Sequence, residues 1–217
     1  QKIFLFYIIF QGFLAKEKYG EEVCSFYVTL PFAYQIVLVD LVRKTVYEPI
    51  KPTRNIPGIR KNLRPSYLAA VNEHQLLVTT EYRIFGVNLQ TGMVELYTNQ
   101  DRILDGDPVN GEFGYAQVAQ PGPPIAIPGY GGMFIVADWL HNTIRVIDMN
   151  QRRIFSLCKS RYLQAAPTTA DSLTGADIDL PLCNFDNPYA LLFTDKISSQ
   201  MIIAHGYQIS YYELLGE

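Results

Sequence analysis

Cysteine is scarce, with 3 residues in a chain of 217, at Cys24, Cys158 and Cys183, and no CxxC spacing among them. So few cannot frame a disulfide-built mini-protein, and without CxxC neither a zinc knuckle nor a thioredoxin-like centre is available. Charge is scarce too: 18% of residues are charged and the net charge is −3. With no basic surplus to neutralise a phosphate backbone, nucleic acid is not an expected partner. The sequence also holds no Walker A loop, no GxGxxG after a strand, no HExxH and no GxSxG, which removes the commonest signatures of phosphate-binding and hydrolytic sites. Sustained helical periodicity is missing nearly everywhere, which argues against α/β folds. No apolar run is long enough to span a bilayer as a helix.

What is present points to strands. Apolar residues make up 48% and aromatics 13%, with 15 Tyr and 12 Phe. That excludes a disordered chain and favours β-structure. At the N-terminus, Lys2 precedes the apolar run Ile3–Phe10, then Gln11–Ala15, then Lys16-Glu17-Lys18. Residues 1–15 read either as a secretory signal-like segment or as a first buried strand. The cysteines leave a matching pair of readings. They are three buried thiols, or Cys158 pairs with Cys183 across the intervening loop and leaves Cys24 over. The bond would imply an oxidising compartment.

A repeat fills residues 16–217. Segments around Ile36, Ile84, Ile144 and Ile209 align on an isoleucine followed four residues later by Asp40, Asn88, Asp148 or Glu213. In the first three, a polar turn and a second apolar stretch follow (45–48, 93–97, 153–157), the pattern of a hairpin. Apolar strands at 75–79, 133–137 and 201–204 precede the last three hairpins, and proline-led segments at 65–69, 124–127 and 188–192 precede those. Each full unit therefore reads as four short antiparallel strands. Such units in succession predict an all-β fold, a β-propeller whose blades cover one another's apolar faces. Asp138, Asp40, Asn88 and Asp148 are expected to cap tight turns by accepting nearby backbone N–H groups.

The stretch from Asp105 to Asp148, with Val136-Ala137-Asp138, Ile144-Arg145 and Asp148, resembles an NHL repeat. The unit with Phe185, Pro188, Ala190 and Ile202-Ile203-Ala204 is similar to it more distantly. His141-Asn142 stands where the family has Asn-His. The resemblance implies an NHL-like propeller and no particular substrate. The visible units, about four, are fewer than such propellers usually close with. A fragment of a longer protein is the favoured explanation; completion of the last blade by N-terminal strands and closure by another chain are the alternatives.

Candidate sites are few. His74, His141 and His205 fall in three different units, and together they are the one histidine set that could hold zinc. An amidating lyase on an NHL-like propeller uses axial histidines, so a metal-dependent lyase or hydrolase is the alternative function. No histidine follows Pro188, where that lyase would have one. Asp105, Asp107, Asn110 and Glu112 form an acidic loop in the wrong register for an EF-hand, and Asp171, Asp177 and Asp179 form a similar one; solvated loops are expected rather than calcium sites. No cofactor is expected. Lys51, Arg54, Arg60, Lys61 and Arg64 lie in a Pro-rich linker, a solvated loop or an anion patch. Trp139, the only Trp, either packs between blades or anchors a partner. The preferred reading is a non-enzymatic binding or assembly module of a secreted or cell-surface protein. Turn residues Trp139, Leu140, His141, Arg83 and Tyr207 would present to a protein or glycan partner, with self-assembly a further route.

Overall fold

The computed structural model describes residues 15–16, 22–23, 25–40, 42–47, 64–99, 108–158, 186–194 and 200–213. The expectations placed on Ile3–Phe10, Cys24, Cys183, the linker basics from Lys51 to Lys61, and the acids Asp105, Asp107, Asp171, Asp177 and Asp179 fall outside these residues.

The described residues are all-β apart from one 3-10 turn, Pro31–Ala33. A two-stranded sheet pairs β1 (Ala15–Lys16) with β2 (Glu22–Val23). The next holds β3 (Ser25–Leu30), β4 (Gln35–Asp40) and β5 (Thr45–Val46) in that order. Four strands follow in sequential order: β6 (Tyr67–Asn72), β7 (Gln75–Thr79), β8 (Ile84–Asn88) and β9 (Val94–Leu96). A sheet of five comes next, built from β10 (Gly111–Glu112), β11 (Ile125–Ala126), β12 (Met133–Asp138), β13 (Thr143–Asp148) and β14 (Arg153–Ser156) in the order β10-β14-β13-β12-β11. The last joins β15 (Pro188–Phe193), β16 (Gln200–His205) and β17 (Gln208–Glu213). The hairpin strands expected from the repeat are β4–β5, β8–β9 and β13–β14, and the expected preceding strands are β7, β12 and β16. Besides the short β1–β2 pair, two strands were not foreseen. β3 pairs along its whole length with β4, from Ser25 opposite Asp40 to Leu30 opposite Gln35, and β10 adds an outer strand to β14.

The turns explain why the hairpins form. Asp40 Oδ1 accepts the Arg43 N–H at 2.8 Å. Asn88 Oδ1 accepts from Gln90 and Thr91, both at 2.9 Å. Asp148 Oδ1 accepts from Asn150 and Gln151 at 3.0 and 2.9 Å. Each side chain stands in for a backbone acceptor and closes the bend. Four residues further on the chain must turn left-handed, with φ of 53° at Lys44, 68° at Gly92 and 54° at Arg152.

The structure divides into two compact units, Gln1–Val78 with Gly86–Glu95, and Thr79–Phe85 with Leu96–Glu217; the boundary crosses the strands of the β6–β9 sheet. In the first unit, Thr29 Oγ1 donates to the Ser66 carbonyl at 2.9 Å, tying β3 to the start of β6. The second unit holds a core of Ile135, Ala137, Ile144 and Val146 against Leu191, Met201, Ile203 and Cys158. That is one face of β12–β13 packed on one face of β15–β16. Burying each large aliphatic side chain there stabilises by about 1.5–3 kcal/mol. Every residue of β13 is buried, including Arg145, whose Nη1 and Nη2 donate to Ser156 Oγ and the Val109 carbonyl, both at 2.7 Å.

Candidate functional site

The most elaborate polar arrangement among the described residues lies where β12 turns into β13, within the second unit. Asp138 ends β12 fully buried. It was expected to cap its own turn through backbone N–H groups. Instead Oδ1 accepts the Ala119 N–H at 2.9 Å, and Oδ2 meets His141 Nδ1 at 2.8 Å. The carboxylate thus clamps the 119–122 segment to the turn, and the imidazole supplies the second bond that burial of a charge demands. Nδ1 carries the proton it donates to Asp138, while Nε2 is buried with no hydrogen-bond partner among the described residues. Asn142 then adopts φ of 50°, left-handed, a conformation Asn tolerates well.

Three successive hairpin turns are laced together around this point. In the β7–β8 turn, the Glu81 carbonyl accepts the Gln120 N–H at 2.8 Å. The Gln120 and Ala119 carbonyls accept the N–H groups of Trp139 and Leu140 at 3.3 and 3.2 Å. Asn142 Oδ1 accepts the Asn187 N–H at 2.6 Å, just before β15. The neighbouring Asp186 N–H donates to His205 Nδ1 at 3.3 Å, where β16 ends. Because His205 Nδ1 accepts, its proton sits on Nε2, which is 2.7 Å from Ser210 Oγ.

The lacing presents side chains outward at each turn. Trp139 and Leu140 are each 38% exposed, and Tyr207 is wholly exposed. Tyr82 and Arg83 are half-buried. The β13–β14 turn at the other end of the strands is polar, Asn150-Gln151-Arg152. Of the residues expected at a partner surface, Trp139, Leu140, Arg83 and Tyr207 lie on these turns with side-chain area to offer. His141 does not; it is buried and faces Asp138. Asn142, Asn187 and the Ala119–Gln120 segment were not singled out from sequence. A signal existed for Asn142, which follows Asp138 at the spacing that separates Asp40 from Lys44 and Asp148 from Arg152.

The histidines do not converge on a metal. His74 is exposed beside Gln90 and Glu73, His141 faces Asp138, and both ring nitrogens of His205 are engaged. Among the described residues no three His, Cys, Asp or Glu side chains gather as a metal site. Of the acidic loop, Asn110 is structural: its Oδ1 accepts from Ser156 N–H at 2.8 Å. Cys158 is buried, its carbonyl held by Thr143 Oγ1 at 2.8 Å.

No protein-family model matches the sequence, and no curated protein does. Solved structures match. An auxiliary nutrient binding protein from Bacteroides thetaiotaomicron is similar at 16% identity with a TM-score of 0.58, over 88% of this chain and 46% of that one. An auxiliary nutrient binding protein from Bacteroides ovatus gives 15% and 0.58, again over 88% and 46%. A chain in a crystal structure of a nidogen/laminin complex gives 15% and 0.50, over 88% and 57%. Identity this low speaks for fold alone, and the fold is a β-propeller built from antiparallel blades. The chain spans less than half the length of the first two of these proteins.

Proposed function

We propose that this chain is a non-enzymatic binding module of a secreted or cell-surface protein, an NHL-like propeller segment that offers the laced turns to a protein or glycan partner. The observation carrying the reading is the outward display of Trp139, Leu140, Arg83 and Tyr207 on turns fixed by the Glu81–Gln120, Asp138–Ala119 and Asn142–Asn187 hydrogen bonds. Aromatic and arginine side chains on a rigid frame lose little entropy on binding and form the usual anchors of recognition. The structural neighbours named as nutrient-binding proteins and as part of a nidogen/laminin complex fit such a role. A Cys158–Cys183 disulfide belongs to this reading and would suit an oxidising compartment.

The test is binding of the purified chain to panels of immobilised glycans and extracellular proteins. Trp139→Ala and Tyr207→Ala should each weaken a detected interaction at least tenfold without lowering the unfolding midpoint, while Gln151→Ala should leave it alone. Retention of binding by both aromatic variants, or equal loss with Gln151→Ala, overturns the reading.

A further inference from the structure

Three hairpin turns of the second unit each carry an aromatic residue: Tyr82 between β7 and β8, Trp139 between β12 and β13, and Tyr207 between β16 and β17. Tyr207 is wholly exposed and Trp139 partly so. Tyr82 is half-buried, and its phenol donates to the Glu81 carboxylate, which ties the ring to its turn. The hydrogen bonds that lace the turns run from Glu81 to Gln120, from Gln120 to Trp139, from Asn142 to Asn187 and from Asp186 to His205, beside Tyr207. The aromatic residues are therefore held in a fixed order, one to a turn. The sheets that bear Trp139 and Tyr207 pack face to face, and sheets so packed lie about 10 Å apart. That is close to the advance of two sugar residues in an extended oligosaccharide.

What lies beside the rings narrows the ligand. Glu81, Asp186, Asn187 and Gln208 are exposed, and Leu140 is the one exposed aliphatic side chain on the three turns. A protein interface is built on a contiguous apolar centre, which rings set apart among polar groups do not make. A pyranose needs what is here. Its flat C–H face stacks on a single aromatic ring, and the hydroxyls at its edge donate to carboxylates and bond to side-chain amides. Charge narrows the class further. Glu81 and Asp186 are anionic, and Arg83 is the one Lys or Arg on the three turns, so sulfate or uronate groups would meet repulsion with little to offset it. We propose that the laced turns bind a neutral oligosaccharide, with pyranose rings stacked on Tyr82, Trp139 and Tyr207 and hydroxyls bonded to Glu81, Asp186 and Gln208. The proposal rests on the reading of this chain as a binding module and gives that module its ligand class.

The experiment titrates the full chain with cello-, manno- and xylo-oligosaccharides, each as dimer, tetramer and hexamer. Heparin oligosaccharides of matched length and a panel of extracellular proteins are run alongside. Trp139, the only Trp, reports stacking through its own fluorescence, and calorimetry serves the variants that lack it. At least one neutral hexamer should bind at least tenfold more tightly than its dimer, because a ligand that reaches two rings gains from effective concentration. Trp139→Leu and Tyr207→Leu keep apolar bulk and lose the ring. Each should weaken that hexamer at least tenfold and the dimer less than twofold, with the unfolding midpoint unchanged, and Trp139→Phe should restore most of the affinity. Affinity that does not grow with length, tighter binding of the heparin oligosaccharides, or leucine variants that bind like the unmutated chain overturns the proposal. An extracellular protein bound through Trp139 and Tyr207, with no neutral sugar bound, overturns it and leaves the binding-module reading standing. If nothing in any of the three sets binds, both fall.

Discussion

His141 Nδ1 lies 2.8 Å from Asp138 Oδ2, and the two side chains are only 4% and 0% exposed. The pair is the hub from which the turns are laced, because the other carboxylate oxygen holds the Ala119 N–H. Asp138→Ala would leave both a backbone donor and an imidazole donor buried and bare, which costs about 3 kcal/mol. Asp138→Asn retains an oxygen for Ala119 and allows His141 to exchange tautomers, so its cost should be about 1 kcal/mol. Urea unfolding followed by the fluorescence of Trp139, the adjacent residue, reads both. Equal midpoints for Asp138→Ala and the unmutated chain would remove the hub role.

The opposite turns make a prediction that separates side-chain from backbone effects. Asp148→Ala removes the acceptor for Asn150 and Gln151 and should cost about 1 kcal/mol, with Asp148→Asn close to neutral. Gly92 has φ of +68° and nothing within 4 Å of where a Cβ would stand. Gly92→Ala therefore tests the left-handed conformation alone, and about 1 kcal/mol should be lost. Thermal unfolding of the variants decides it; a neutral Gly92→Ala means that the turn relaxes to another conformation.

The parts of the fold legible in the sequence are those written in local chemistry. The hairpins announced themselves through Asp40, Asn88 and Asp148, each of which does close its turn. β3 was hidden because Leu30 runs on into Pro31-Phe32-Ala33, an apolar 3-10 turn with no polar break to mark it. β10 was hidden because Gly111 and Glu112 carry no alternation; its pairing with β14 is long-range, supported by Asn110 bonding Ser156. The alignment placed Ile209 correctly beside Ile144 but could not say that one is exposed and the other buried, since burial depends on a neighbouring sheet. The candidate surface was legible as turns bearing bulky residues. The lacing was not, because backbone carbonyls such as those of Glu81 and Ala119 leave no trace in side-chain identity.

Alkaline pH should act through Tyr27. This residue lies on β3 opposite Leu38, and burial raises its phenol above the ordinary value of 10.0. A group whose value is raised on folding adds stability that is complete below its unfolded value and disappears as pH climbs through the folded one. The chain should thus lose stability above about pH 10 by an increment that Tyr27→Phe lacks. Unfolding midpoints of both proteins from neutral to strongly alkaline pH, compared as a difference, cancel the lysines that titrate nearby. Parallel curves would show that the phenol is as well solvated folded as unfolded.

Gly122 supplies the most local test of how the 119–122 segment meets the last sheet. Its N–H donates to the Ala137 carbonyl at 2.8 Å, and its carbonyl accepts from Thr79 Oγ1 at 3.2 Å, so its backbone is fixed on both sides. A Cβ added there would stand 3.0 Å from the Tyr189 carbonyl oxygen and 3.6 Å from that of Ala137. Neither is a flexible side-chain end that could swing away, so relief requires β15 to move outward. Gly122→Ala should cost about 1–3 kcal/mol, the range for overpacking. The displacement should also speed exchange of the Asn187 amide hydrogen, whose 2.6 Å bond to Asn142 lies just before the strand that must shift. Gly131→Ala is the control: nothing lies within 4 Å of its Cβ position, and it should be neutral or stabilising by about 0.5 kcal/mol. If Gly122→Ala unfolds like Gly131→Ala and Asn187 exchanges at the original rate, the segment and β15 are not in the close contact on which the laced turns depend.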